Sequence, residues 1–243
     1  MRYLIVNADD FGYGRGVNRG ILEAIDHGIV SSASLMVNTP GSLEAVEAWR
    51  ERSHVSLGLH VNFTNEAARL VEFDDPSVCR AELRHQLDRF LDLVGLPPTH
   101  LDGHQHVHRR PTCLPIFLEL ADEIGVHLRD QPPVVYKGGF YAQWEYNVSD
   151  PARVSYEALA TILRDELVGD GVWELAVHPG RYDPEASYVY HCDRELELFT
   201  LTDRRAKRLL DEVSLTLVSF RQVEAKRERD HEVPPPYHAQ PAR

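Results

Sequence analysis

The sequence predicts an α/β fold, and most simply a barrel of parallel strands built as one domain. Short apolar runs, typical of buried parallel strands, alternate with amphipathic helical patterns in six or seven successive units. The 243 residues suit one large α/β domain, and neither an internal repeat nor a linker divides them. We expect the barrel over residues 1–225 and a charged, proline-rich tail over 226–243.

The first part of the chain contains three strands and three helices of this pattern. In chain order they are predicted at 2–8 (strand), 16–27 (helix), 32–38 (strand), 42–52 (helix), 55–62 (strand) and 77–94 (helix). The strands are almost continuously apolar, and the helices repeat apolar residues every three or four positions. Gly28 is expected to end the first helix, Ser42 to cap the second, and Asp75 followed by Pro76 to begin the third.

The second part repeats the pattern around one irregular interruption. Its elements are predicted at 99–108 (strand), 111–124 (helix), 126–129 (strand), 154–168 (helix), 173–178 (strand), 203–213 (helix) and 215–220 (strand). Residues 130–153 have no clean period but are rich in aromatics: Tyr136, Phe140, Tyr141, Trp144 and Tyr146. Such rings either stack on sugars or pack the loop against the domain, and they suit a dimer contact or a substrate lid equally well.

Composition excludes several classes of function. The net charge of −12 and the lack of a basic block argue against nucleic acid and anionic membrane surfaces as partners, and weakly favour neutral or cationic substrates. The three cysteines are odd in number and form no C-x-x-C, so we expect neither a disulfide framework nor a thiolate zinc site. No apolar run has the length of a signal or a membrane span, which predicts a cytoplasmic protein. The oligomeric state stays open, and a homodimer is one possibility.

The segment 99–108 concentrates groups that bind metals. Gly103 permits the strand to end there and pass the later residues to a loop. If the strand continued, five titratable groups would share one face: His100, Asp102, His104, His106 and His108. Packing does not need this density and imidazole is the commonest metal ligand, so we interpret the segment as part of a metal site rather than a solvated polar face.

Polar side chains also follow the other predicted strands at the point where each strand ends. They are Asp9 and Asp10, His60, His104, and His178. In a βα barrel the C-terminal strand ends share one face, and that face carries the active site. We therefore expect these groups to meet.

Three of these residues make a plausible metal-ligand set. Asp10, His60 and His104 would supply one oxygen and two nitrogens and leave a coordination position open, as in catalytic metal sites. The set suits zinc and tolerates magnesium, manganese, cobalt or nickel. His106 or His108 are alternatives to His104.

Supporting roles remain for the neighbouring groups. His106 and His108 could instead lie behind the ligands, and Asp102 could accept a proton from an imidazole and orient it. We assign Asp9 to proton abstraction from the attacking water, and His178 to the role of a cation that protonates a leaving amine. Ordinary structural roles compete: turn hydrogen bonds for Asp9 and His178, and a core position for His60.

Four motifs carry a resemblance to a known family: NADDFG (7–12), GLHVNFT (58–64), THLDGHQHVH (99–108) and HPG (178–180). In this order they resemble the YdjC-like carbohydrate deacetylases, which include chitooligosaccharide deacetylases and hopanoid-biosynthesis-associated members. The resemblance covers roughly residues 1–220. The chain lacks the Gly-x-Pro-Leu that often follows the second motif, which leaves the sugar open.

This resemblance implies a distorted (β/α) barrel of about seven parallel strands and the metal-dependent removal of an acetyl group from a small N-acetylated carbohydrate. It places one divalent ion on Asp10, His60 and His104 and favours Mg²⁺, with Zn²⁺ or another transition metal as the alternative. Looser similarity to the wider polysaccharide deacetylases makes Asp9 the base. The rival functions are another metal-dependent amidohydrolase, a phosphoesterase, and a non-catalytic sugar-binding or metal-binding protein.

Overall fold

The protein is built on a parallel sheet that curls into a half-barrel with helices around its outside, which confirms the predicted α/β barrel class. The computed structural model describes residues 1–65, 68–143, 148–184, 190 and 192–223. The predicted tail over 226–243, and Trp144 and Tyr146 of the aromatic segment, lie outside the described residues. In the part that is described, no helix combines the length and apolar character needed to cross a bilayer.

The described strands, in chain order, are β1 (Arg2–Phe11), β2 (Ser32–Leu35), β3 (Ser56–Val61), β4 (Thr64–Asn65), β5 (Ala68–Arg69), β6 (His100–Gly103), β7 (His127–Leu128), β8 (Val134–Lys137), β9 (Gly171–Val177) and β10 (Leu215–Leu217). Seven of them run side by side in the order β7-β6-β3-β2-β1-β9-β8, and every pairing is parallel. β10 pairs with the first residues of β1, and β4 and β5 form a separate antiparallel ladder. The C-terminal ends of the seven strands therefore lie along the same edge of the sheet.

The described helices are α1 (Arg15–His27), α2 (Ser42–Arg50), α3 (Pro76–Val94), α4 (Leu114–Ile124), α5 (Tyr156–Thr161), α6 (Cys192–Thr202) and α7 (Arg204–Glu212). Short 3₁₀ helices span His104–Arg109 and Pro151–Val154, and a π-helical turn spans Ile162–Glu166. The caps agree with the sequence in most places. Asp75 accepts a hydrogen bond from the Ser77 backbone N–H, and Gly125 ends α4 in the left-handed conformation. The predicted Ser42 cap is wrong: Gly41 is the N-cap, and the Ser42 hydroxyl donates instead to the Thr39 carbonyl.

The first strand shows how the sheet divides its side chains. Leu4, Val6 and Ala8 join the main core between the sheet and the helices. Ile5 belongs to a second, smaller cluster with residues of β8 and of the segment after β10. Since successive strand residues point to opposite faces, Asn7 and Asp9 continue the row of Ile5 toward the inside of the curl.

The histidine-rich segment changes structure at Gly103, as the sequence allowed. His100 and Asp102 do share a face of β6, because both contact the Ser34 hydroxyl, at 3.0 and 2.7 Å. His104 begins a 3₁₀ helix, so the continuous strand face predicted from His100 to His108 is wrong beyond Gly103. Among the described strands and α-helices, four had no counterpart in the sequence prediction: β4, β5, β8 and α6.

Candidate metal centre and active site

The end of β1 presents two adjacent carboxylates to the same cleft. A regular strand would send Asp9 and Asp10 to opposite faces, but Asp10 has a φ of 67°, a left-handed conformation that Asp tolerates better than most residues. Gly12 follows with a φ of 94°, and a Cβ there would lie 2.7 Å from the Met36 carbonyl oxygen. The NADDFG motif thus turns the chain sharply enough for both carboxylates to face inward.

Asp10, His60 and His104 meet at the ends of three strands. Asp10 Oδ1 lies 3.2 Å from His60 Nε2 and 2.9 Å from His104 Nδ1. One ligand atom from each residue falls within 4.8 Å of the others, a spacing that could hold a metal ion. The sequence grouped these three side chains correctly in space, and their role as ligands stays a prediction.

Asp102 orients the first of the two imidazoles. His60 Nδ1 donates to Asp102 Oδ1 at 2.7 Å, which leaves Nε2 directed at Asp10. Burial by itself lowers the pKa of His60, but Asp102 and the other carboxylates outweigh burial and raise it to about 10. The surroundings of this ring therefore favour positive charge.

Asp9 is held by a buried arginine that closes off most of its hydrogen-bonding capacity. Arg129 donates to Asp9 Oδ2 at 2.6 Å and to Oδ1 at 2.7 Å, and Asn7 donates to Oδ1 at 2.9 Å. Each carboxylate oxygen has two lone-pair directions, so Oδ1 is saturated and Oδ2 keeps one. Burial raises the pKa of Asp9, but the Arg129 guanidinium outweighs it and holds the pKa below its usual value.

The position of Arg129 also decides between two sets of residues that could hold a metal ion. Asp9, His60 and Asp102 are also close enough for a metal. Arg129 Nη2, however, lies 2.7 Å from Asp9 and 2.8 Å from Asp102, so a cation already stands between those carboxylates. The set around Asp10 is the better candidate.

His178 directly follows β9 and lies near Asp9. Its Nε2 is 3.8 Å from Asp9 Oδ2, and its ring lies 4.7 Å from that of Tyr141. Burial lowers the pKa of His178 to about 4, which favours a neutral imidazole, whereas the sequence analysis assigned this residue the role of a cation. The ring can donate to a substrate only a proton that it has first received.

These groups line one cleft of about 190 Å³. The described lining residues are Asp9, Asp10, His60, Gly103, His104, Gln105, His106, Tyr136, Gly138, Tyr141, Gln143, His178, Tyr190 and Arg194. This volume, bounded by the described residues, is below that of most ligand pockets.

Residues 3–212 match the model of the YdjC-like protein family. The chain belongs to this family. It is 34% identical over 249 residues to a carbohydrate deacetylase of Brevibacillus brevis (strain 47 / JCM 6285 / NBRC 100599), covering 89% of this chain and 98% of that protein. It is 31% identical over 256 residues to a chitooligosaccharide deacetylase of Serratia marcescens, covering 90% and 98%.

A solved structure resembles the fold over most of this YdjC-like chain. It is the crystal structure of a putative cellobiose-phosphate cleavage protein from Enterococcus faecalis V583, with a TM-score of 0.77, 24% identity, and coverage of 91% of this chain and 98% of that one. A family 4 carbohydrate esterase from Streptomyces lividans in complex with acetate is more distant, with a TM-score of 0.56, 13% identity, and coverage of 89% and 91%. Both likenesses concern the fold.

The later histidines of the third motif stand apart from the Asp10 group. His106 lines the cleft, where its Nε2 lies 3.5 Å from the Tyr136 hydroxyl. His108 is buried and its ring lies 6.2 Å from that of Phe117. In the described part of the chain neither residue joins a set with metal-ligand spacing, which favours His104 as the third candidate ligand.

Several residues of the site were missed by the sequence analysis. Arg129 directly follows β7, Glu174 lies in the middle of β9, and both side chains are fully buried. Glu174 Oε1 accepts a hydrogen bond from Arg129 Nε at 2.8 Å. A charge inside a buried strand requires a partner, and that was the available signal. Burial raises the pKa of Glu174 to about 7, although Arg129 opposes the shift.

The N-terminal part of α6 was missed as well. Arg194 donates to Asp10 Oδ2 at 2.6 Å. Glu197 Oε2 accepts from the His178 backbone N–H at 2.5 Å, and its Oε1 accepts from the Tyr190 hydroxyl at 2.6 Å. Arg194 and Glu197 are three positions apart on α6 and so share one helical face, which was a readable pattern.

Proposed function

We propose that this YdjC-like protein is a metal-dependent N-deacetylase of small carbohydrates, which hydrolyses the amide bond of an N-acetylated sugar. The observation that carries the proposal is the convergence of Asp10, His60 and His104 within 4.8 Å, with the Asp9 carboxylate and the His178 imidazole in the same cleft. The names of the similar proteins, carbohydrate deacetylase and chitooligosaccharide deacetylase, support the substrate class.

The donor set fits a divalent ion. Asp10, His60 and His104 would hold it with one oxygen and two nitrogens, and the hydrogen bond to Asp102 keeps His60 Nε2 available. Mg²⁺ is favoured by the family, while two imidazoles suit Zn²⁺ or another transition metal. Such an ion would polarise the acetamide carbonyl and make water more acidic.

Asp9 acts as the base in this proposal. Its Oδ2 retains the one uncommitted lone-pair direction, so it is the oxygen that takes a proton from the attacking water. Arg129 fixes the carboxylate in place, since bidentate arginine–carboxylate pairs are geometrically rigid. The water oxygen bonds to the acetyl carbon as its proton moves to Asp9.

His178 delivers the proton to the departing nitrogen. The neutral ring lies 3.8 Å from Asp9 Oδ2, so the proton that Asp9 collects is next to the group that must pass it on. As the C–N bond breaks, the nitrogen receives this proton and leaves as the free amine, and the acetyl group leaves as acetate. The hydrogen bond from the His178 backbone to Glu197 keeps the ring at this position.

The test is acetate release from N-acetylglucosamine and its dimer and trimer. The protein is stripped with a chelator and reloaded separately with Mg²⁺, Zn²⁺, Mn²⁺, Co²⁺ or Ni²⁺. We expect acetate and free amine in equal amounts only after reloading. Hydrolysis of a generic phosphoester without acetate release would favour a phosphoesterase, and sugar binding without turnover would favour a non-catalytic protein.

A further inference from the structure

The two oxygens of Asp10 have separate partners. Oδ1 faces His60 Nε2 and His104 Nδ1, at 3.2 and 2.9 Å. Oδ2 accepts a hydrogen bond from Arg194 Nη2 at 2.6 Å. Arg194 comes from α6, an element that contributes no residue to the candidate ligand set.

Arg194 is itself fixed firmly against the strand end that carries His178. Its side chain is 5% exposed. Its backbone carbonyl accepts from the Gly180 N–H at 3.1 Å, and Nη1 donates to the His178 carbonyl at 3.4 Å. A Cβ at Gly180 would come within 3.0 Å of the Arg194 methylenes, so the glycine of the HPG motif makes room for this side chain.

We propose that Arg194 is a positioning residue that restricts Asp10 to one metal-coordinating oxygen. The inference rests on the proposed metal site. A carboxylate can bind an ion through one oxygen or through both. With Oδ2 engaged by a guanidinium, only Oδ1 is available beside the two imidazoles, and a coordination position stays open for substrate, as a catalytic site requires.

This role has a cost in metal affinity. A guanidinium next to Asp10 repels a divalent ion and prevents chelation by the second oxygen. Removing Arg194 should therefore preserve or strengthen metal binding while it impairs turnover, because Asp10 would then fill the open position with Oδ2. A residue needed only for packing would not separate the two effects in this direction.

The experiment compares wild-type protein with Arg194→Met, Arg194→Gln and Arg194→Lys, each stripped and loaded with Co²⁺. Co²⁺ affinity is measured by titration calorimetry, and coordination by the visible absorption of the Co²⁺ form without substrate. Arg205→Met is the matched control, since Arg205 is half exposed on α7 and contacts Asp203 and Tyr156.

In the Met and Gln variants we expect Co²⁺ affinity equal to the wild type or up to about tenfold tighter. Their visible absorption should weaken as the coordination number rises, and kcat/KM should fall by at least a hundredfold. The lysine variant keeps one donor for Oδ2 and should recover part of the wild-type spectrum. The Arg205 variant should match the wild type throughout.

The proposal is overturned if both neutral variants lose Co²⁺, or if they keep the wild-type spectrum. If Arg194→Met does not fold, as judged by circular dichroism, the Gln variant decides. Wild-type protein that binds Co²⁺ and releases no acetate would contradict the deacetylase function alone, because the spectral comparison needs no substrate.

Discussion

Both carboxylate oxygens of Asp9 accept hydrogen bonds from Arg129, at 2.6 and 2.7 Å, where Asp9 is 3% exposed and Arg129 is not exposed at all. The same guanidinium contacts Asp102 and Glu174. One buried arginine thus connects the candidate base, the carboxylate that orients His60, and a third acid that touches no candidate ligand. The position of Asp9 depends on this buried ion cluster as much as on β1.

Replacing Asp9 by Asn should abolish most of the turnover and leave the metal in place. The amide cannot accept the proton of the attacking water, and loss of a general base costs about 10²–10⁴ in rate. Asp9 lies outside the Asp10 set, so the metal content should not change. Acetate release and elemental analysis check both statements, with the exposed Asp211→Asn as control. A fully active Asp9→Asn variant would remove Asp9 from the mechanism.

Removing Arg129 should destabilise the fold. Asp9, Asp102 and Glu174 would lose their shared cation inside the barrel, and breaking a buried ion pair costs about 3–5 kcal/mol. We expect Arg129→Met to lower the free energy of unfolding in urea by about this amount.

The double variant Arg129→Met/Glu174→Gln tests the cause. It removes a buried carboxyl group that, without Arg129, must either stay charged or take up a proton, so it should be more stable than the single Arg129→Met variant by about 1–3 kcal/mol. If the two substitutions instead destabilise additively, the three carboxylates do not share Arg129 energetically.

The histidines of the site should separate into ligands and bystanders. His60→Ala and His104→Ala each remove one donor of the converging set and should release the metal, whereas His106→Ala should retain it. Elemental analysis after chelation and reloading gives the answer directly. Retention by His104→Ala together with loss by His106→Ala would make His106 the ligand.

The strand-end residues could be placed from the sequence because parallel strands bring their C-terminal ends to one edge. Asp10, His60 and His104 lie far apart along the chain, yet each stands at or near the C-terminal end of a β-strand. Once those strands are assigned to one parallel sheet, the side chains must lie near each other. The fold class follows from the same alternation of strands and helices.

Helix α6 could not be found in this way. Its buried residues are divided between the site and the core: Arg194 and Glu197 contact groups of the site, while Leu198 and Leu201 join the core. Hydrophobic periodicity detects helices that pack against apolar surfaces, and α6 violates the pattern where it is functional. β8 was missed for a different reason: its four residues are too few for a period.

His108 offers a test of stability that also bears on metal binding. The ring is buried, and neither nitrogen has a hydrogen-bond partner among the residues that the structure describes. Burial lowers the pKa of His108 to about 4, so near pH 5 the unfolded chain binds a proton that the folded protein does not. The free energy of unfolding is therefore unaffected by this group above the unfolded pKa near 6.5. It falls as the pH drops toward 4, by on the order of 2 kcal/mol between pH 7.5 and pH 5.

The variant His108→Leu tests this pH dependence of stability. In this variant that part of the acid sensitivity should vanish, as measured by urea unfolding at both pH values, while the exposed His85→Leu control keeps it. The same variant should retain the metal; loss of the ion would show that His108 is a ligand, and an unchanged pH dependence would show that its ring is not the buried neutral group.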